Sequence, residues 1–160
     1  MVITEVTKGE ISTRIDTLGK SNPGQIVFDR SWNVLVSGAR KYSPTDGSGV
    51  QLPLSIGKTW NSRSIYVNSE NGATWKRTGR SKVVGQETVT TKAGTFETFK
   101  IETTSSSKNV KDPTQKIEAM SQVWYAPTIN HWVKQTIVSR TNNRLMINNT
   151  IELIDCGRRA

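Results

Sequence analysis

The chain holds a single histidine, His131, and a single cysteine, Cys156, among its 160 residues. That scarcity already limits the chemistry. A catalytic histidine needs an orienting acid and a nucleophile, or a metal with further ligands. His131 stands before Trp132-Val133-Lys134 at the start of a predicted strand, and no Gly-x-Ser-x-Gly motif supplies a nucleophile. It reads as a structural or surface residue. Cys156 precedes Arg158 and Arg159, cations of the kind that lower a thiol pKa. It has no histidine near it in sequence and sits in a basic end expected to fray, so it reads as a bystander. One Cys and one His exclude a zinc-finger type of site. There is no Walker loop and no dinucleotide fingerprint, so neither a metal nor a cofactor is expected. Glu87, Glu97 and Glu102 are the carboxylates of interest. A glycosidase pair must face itself across a cleft. Strand spacing predicts instead that Glu87 pairs with Lys100 across a ladder. No catalytic residue is assigned, and the protein is expected not to be an enzyme.

Binding chemistry has more to work with. Lys76, Arg77, Arg80 and Lys82 follow Trp75 closely, with no acid between Glu70 and Glu87. Cations beside an aromatic ring can hold phosphates and stack a base. Adjacent residues of a strand point to opposite faces, so Lys76 and Arg77 split the cluster. The net charge of +9 favours weak attraction to nucleic acid, anionic lipid or acidic polysaccharide. Five tryptophans, Trp32, Trp60, Trp75, Trp124 and Trp132, supply apolar volume in a chain that is only 34% hydrophobic. They are candidates both for core and for the lining of an apolar ligand site.

The elements that must position these residues read as strands. Val2 to Val6 and Ile11 to Ile15 flank a Lys8-Gly9 turn. Gln25 to Asp29 and Trp32 to Val36 form a predicted hairpin, followed by a long loop from Ser37 to Val50. Pro53 keeps Leu52 to Trp60 out of a central strand. Trp60 to Asn68 and Ala73 to Gly79 flank an Asn71-Gly72 turn. Ser81 to Thr91 follows, with Gly79 or Gly85 as a possible bulge. The stretch Val84 to Ile101 is a hairpin with Gly94 at its turn, where φ > 0 is expected. Phe99 and Ile101 share a face, with Phe96 on the other unless a bulge intervenes. A polar loop is predicted for Ser105 to Pro113. Strands at Ile117 to Tyr125, His131 to Arg140 and Leu145 to Ile154 complete the chain, the last two joined at Thr141-Asn142-Asn143. No segment carries a sustained helical period. The expectation is an all-β fold with little or no helix, about ten strands in an antiparallel meander. It is predicted as one β domain, 1–160, strongly curled into an open or half-barrel.

Several of these segments resemble a group of uncharacterised bacterial cell-envelope domains. The similarity lies in Pro53-Leu-Ser-Ile-Gly-Lys-Thr-Trp60, Gly85-x-Glu87-x-Val89, Ala93-Gly94-Thr95-Phe96, Lys100-Ile101, Trp124-Tyr125-Ala126-Pro127 and Val133-Lys134. A weaker likeness surrounds Phe28-Asp-Arg-Ser-Trp32. The resemblance implies a β-rich half-barrel and an exported, periplasmic or envelope-bound protein. It implies no activity. Met-Val-Ile-Thr-Glu-Val at the start has no signal-peptide pattern, which leaves a cytoplasmic location open.

The functional expectation is a non-enzymatic β-module that takes an apolar small molecule, lipid or protein on the concave sheet face. The five tryptophans are its candidate ligand-binding residues. The alternative is polyanion binding through Lys76, Arg77, Arg80 and Lys82, weak and not sequence-specific. A purely structural or protein-docking module is the remaining reading. Oligomeric state is not legible.

Overall fold

The computed structural model describes residues 1–16, 19–44 and 47–156. The predicted Arg158 and Arg159 tail lies outside the described residues. So do Thr45 and Asp46, of the predicted Ser37 to Val50 loop. The described residues contain no helix and eleven strands: β1 (Val2–Val6), β2 (Glu10–Ile15), β3 (Gly24–Asp29), β4 (Val34–Ser37), β5 (Arg40–Ser43), β6 (Thr59–Asn68), β7 (Thr74–Thr91), β8 (Gly94–Asn109), β9 (Lys116–Ala126), β10 (His131–Thr141) and β11 (Arg144–Glu152). They form one sheet whose order follows the sequence from β1 to β11. The all-β meander expected from the strand patterns is what the chain adopts.

Two compact units divide the residues. Unit 1 holds Met1–Leu52, Asn61–Gly79 and Ser107–Lys116, and unit 2 holds Pro53–Trp60, Arg80–Ser106 and Ile117–Ala160. In unit 1, Ile11, Phe28 and Trp32 form the core, with Met1, Ile26, Val34 and Val50 against them. The Phe28 and Trp32 rings meet edge-on, 5.4 Å apart. In unit 2, Trp124, Ala126 and Val133 pack with Val89, Phe96, Ile129 and Leu153. Hydroxyl side chains complete the interior, several of them hydrogen-bonded, although the buried Ser64 hydroxyl has no partner among the described residues. Thr13 donates to the Ile26 carbonyl, Thr98 to the Glu87 carbonyl, and Ser81 and Thr103 bond each other at 2.8 Å. This explains how so few apolar residues suffice, since a bonded hydroxyl is buried at little cost.

Several predicted boundaries are corrected. The Ser37 to Val50 loop contains β5. Gly38, at φ 55°, opens a tight turn after β4, and Tyr42 of β5 then pairs with Tyr66 of β6, ring centroids 5.1 Å apart. Trp32 does not start a strand. It sits in the β3–β4 turn at φ 64°, where its ring reaches the core. Neither Gly79 nor Gly85 breaks β7, which runs without interruption for 18 residues. The polar stretch after Thr104 stays in β8 as far as Asn109, because Ser107 is buried and bonds Tyr66. Asn71-Gly72 is not the centre of a two-residue turn: only Gly72 has positive φ, and the loop is closed by Asn68 N–H to the Ala73 carbonyl. Asn142 and Asn143 do form such a turn, with φ 48° and 66°.

Gly94 has φ 133°, as the turn requires. Beyond it, Thr88 meets Glu97 and Thr90 meets Thr95, while Ser81 meets Thr103. The first two pairs share a register and the third is offset by one residue. Burial along β8 changes phase between Thr98 and Ile101, which marks a bulge there.

Candidate functional site

The faces of unit 1 follow from its strand pairings. Lys41 stands opposite Val67, and Tyr42 opposite Tyr66. Burial along β6 alternates strictly, with Trp60, Ser62, Ser64 and Tyr66 buried and Asn61, Arg63, Ile65 and Val67 exposed. Trp75 of β7 stacks on Tyr66, centroids 6.1 Å apart and planes 5° from parallel. Trp75 therefore shares the Tyr66 face, and Lys76 and Thr78 take the opposite one. The tyrosine face is an aromatic row with arginines over it. Arg40 lies 5.6 Å from the Tyr66 centroid and Arg77 lies 6.0 Å from that of Tyr42. Burial pushes the Tyr66 hydroxyl pKa up, opposed by its bond to Ser107 and by Arg40.

The other face carries Lys41, Arg63 and Lys76, all exposed. None of the three has an ion-pair partner among the described residues, and β5 and β6 contain no acid. An open cleft of about 350 Å³ is lined by Asn61, Ser62, Arg63, Thr78 and Gly79. Arg63 is its one charged lining residue among the described residues. A guanidinium beside the polar side chains of Asn61, Ser62 and Thr78 can hold a carboxylate or phosphate oxygen.

In unit 2 the polar side chains around Trp124 satisfy one another. Trp124 Nε1 donates to Glu87 at 2.8 Å, and Lys100 pairs with the same carboxylate at 3.5 Å. Lys100 and Lys134 lie 5.0 and 5.5 Å from the Trp124 centroid. Lys134 pairs with Glu152 at 3.2 Å. Each of β7 to β11 contributes one member to this row. The indole bond, then Lys100, holds the Glu87 carboxyl below its usual pKa. The predicted Glu87–Lys100 pair is thus present, and it is part of a closed network rather than an acid–base pair. Glu97 accepts from Thr88, and Glu102 from Gln122.

The remaining sequence candidates are distributed. Arg80 and Lys82 are exposed on β7 but belong to unit 2, whereas Lys76 and Arg77 belong to unit 1. The tryptophans occupy separate surroundings: Trp32 the first core, Trp75 the tyrosine row, Trp124 the second core. Trp132 lies against His131, centroids 5.0 Å apart. Trp60 is 7% exposed, and its indole N–H has no partner among the described residues. His131 is buried, its Nδ1 against the Trp132 carbonyl, and burial lowers its pKa. Cys156 is exposed. Among the described residues no cluster of His, Cys, Asp and Glu could hold a metal. No helix is long and apolar enough to cross a membrane, which says nothing of strands. Sequence reading missed Lys41 and Arg63. Their signal was the period-two pattern of β6, masked because serines occupy its buried positions.

Fold and site together define an all-β antiparallel meander with Lys41, Arg63 and Lys76 exposed on one face of unit 1. The family model described as DUF3108-like matches residues 44–146, and the chain belongs to that family. The description is that of a domain of unknown function. Neither the curated proteins nor the solved structures contain a match.

Proposed function

We propose that this protein is a non-enzymatic binding module that holds polyanions on the face of unit 1 bearing Lys41, Arg63 and Lys76. One observation carries the reading: three exposed cations share a face, β5 and β6 contain no acid, and none of the three has an ion-pair partner among the described residues. Arg63 adds a cleft in which an anionic oxygen can sit. Lys76 is the residue this site shares with the basic cluster of β7. The apolar-ligand reading is less well supported, because Trp32, Trp75 and Trp124 are engaged in separate clusters. Resemblance to cell-envelope domains supports action outside the cytoplasm.

The test is titration of a labelled acidic polysaccharide and a labelled oligonucleotide at low and physiological salt. Counterion release makes such binding fall steeply with salt. Weak binding that disappears near physiological salt, and that is reduced in Arg63→Ser/Lys76→Ser, is expected. Binding unchanged in that variant refutes the site.

A further inference from the structure

We infer that the anionic partner of this face is a lipid bilayer surface. The inference rests on the polyanion reading and names the partner. Its basis is what lies between the cations. Val27 of β3 stands opposite Val36 of β4, Val36 opposite Lys41 of β5, and Lys41 opposite Val67 of β6. These four side chains form a row across one face, three of them β-branched and apolar. Val27 and Val36 are half-buried, and Val67 is 42% exposed. Ile65, also 42% exposed, sits two residues along β6 with Ser43 opposite it. Arg63 and Lys76 complete the face.

A face of this kind has a use for two kinds of contact. Ammonium and guanidinium groups meet anionic headgroups, and valine and isoleucine enter the boundary between headgroups and acyl chains. A phosphodiester backbone or an acidic polysaccharide engages the cations but gives nothing to the apolar row. Single-stranded nucleic acid is held partly by stacking on aromatic rings. Here Tyr42, Tyr66 and Trp75 all lie on the opposite face.

The experiment is co-sedimentation of the full chain with vesicles of phosphatidylcholine, alone or mixed with phosphatidylglycerol. The acidic polysaccharide and the oligonucleotide serve as parallel ligands. Binding is expected to the mixed vesicles and not to the neutral ones, falling about fivefold for each cation removed in Lys41→Ser and Arg63→Ser. Ile65→Ser/Val67→Ser is expected to weaken vesicle binding several-fold while leaving polysaccharide binding unchanged. Val67→Thr, which keeps shape and β preference, gives the same direction should the double variant fold poorly. Vesicle binding that ignores the apolar substitutions, or that is equal on neutral vesicles, overturns the inference. Polysaccharide or oligonucleotide binding without vesicle binding overturns it too, and leaves the polyanion reading standing. Failure to bind any of the three ligands removes both.

Discussion

Gly49 offers a sharp test of how the segment before β6 is held. Its N–H donates to Asn33 Oδ1 at 2.8 Å, and the next N–H, of Val50, donates to the Ser31 carbonyl at 2.8 Å. The other partner is the β3–β4 turn, gathered by Asp29. Its carboxylate accepts the Ser31 N–H, the Asn33 N–H and the Asn33 side-chain amide at 2.8, 3.0 and 2.8 Å. A Cβ on Gly49 would meet the Ser31 oxygen at 2.2 Å, the Asn33 nitrogen at 2.6 Å and Asn33 Oδ1 at 2.8 Å. Two of these are backbone atoms, so Gly49→Ala must move main chain by roughly 1 Å to reach ordinary contact. That loosens two hydrogen bonds at about 1 kcal/mol each. It also withdraws part of Val50 from the Trp32 cluster, about 0.5–1 kcal/mol. Gly49 has no positive φ, and Ala restricts the unfolded chain, which returns about 0.4–1 kcal/mol. Steric cost wins, for a net loss of about 2 kcal/mol. Urea unfolding followed by tryptophan fluorescence measures it. Gly85→Ala, where a Cβ meets nothing within 4 Å, is the control and is expected to leave the midpoint unchanged or raised. An unchanged midpoint in Gly49→Ala refutes the argument.

Gly94→Val should cost about 1–3 kcal/mol from φ alone, because a Cβ there meets Phe96 only at 3.7 Å; a denaturation midpoint equal to wild type contradicts this. Lys100 and Glu87 are partly exposed, so a Glu87→Gln/Lys100→Met double-mutant cycle should give a coupling under about 1 kcal/mol that shrinks with salt. Because the folded Glu87 pKa is lowered, its contribution is present above the unfolded value near 4.5 and is lost as pH falls through the folded pKa. Glu87→Gln should therefore flatten the acid limb of stability against pH. His131 works the same way at higher pH. Burial lowers its pKa from 6.5, so the unfolded chain takes up the proton first and stability declines as pH falls below that value. Thermal melts of His131→Gln that keep the wild-type slope between about pH 7 and about pH 5 would disprove it.

The meander was legible because β-branched runs separated by Gly, Asn and Pro are strong local signals, and Gly94 and Asn142-Asn143 were read correctly from turn chemistry alone. What escaped detection depended on partners distant in sequence. β5 is only four residues long, and Tyr42 looks like loop until Tyr66 is beside it. Ser107 looks like loop until it is found beneath the same tyrosine. Likewise the Glu87–Lys100 pair follows from hairpin register, but the indole bond from Trp124 joins residues 37 positions apart. Lys41 and Arg63 share a face only through the pairing of β5 with β6. Register between non-adjacent turns is set by side-chain packing, and one bulge reverses the faces.

The strand order carries a consequence for how the chain is made. Every strand pairs with its immediate neighbours in sequence. No strand has to wait for a distant segment to be synthesised before it finds its partner. Such a chain closes only short loops as it folds, which lowers the entropic barrier that slows most β proteins. As it leaves the ribosome, each new strand can add to a growing edge already in place. The exposed edge exists throughout synthesis but moves along with the newest strand, so the time for which any one edge is open to a wrong partner is short.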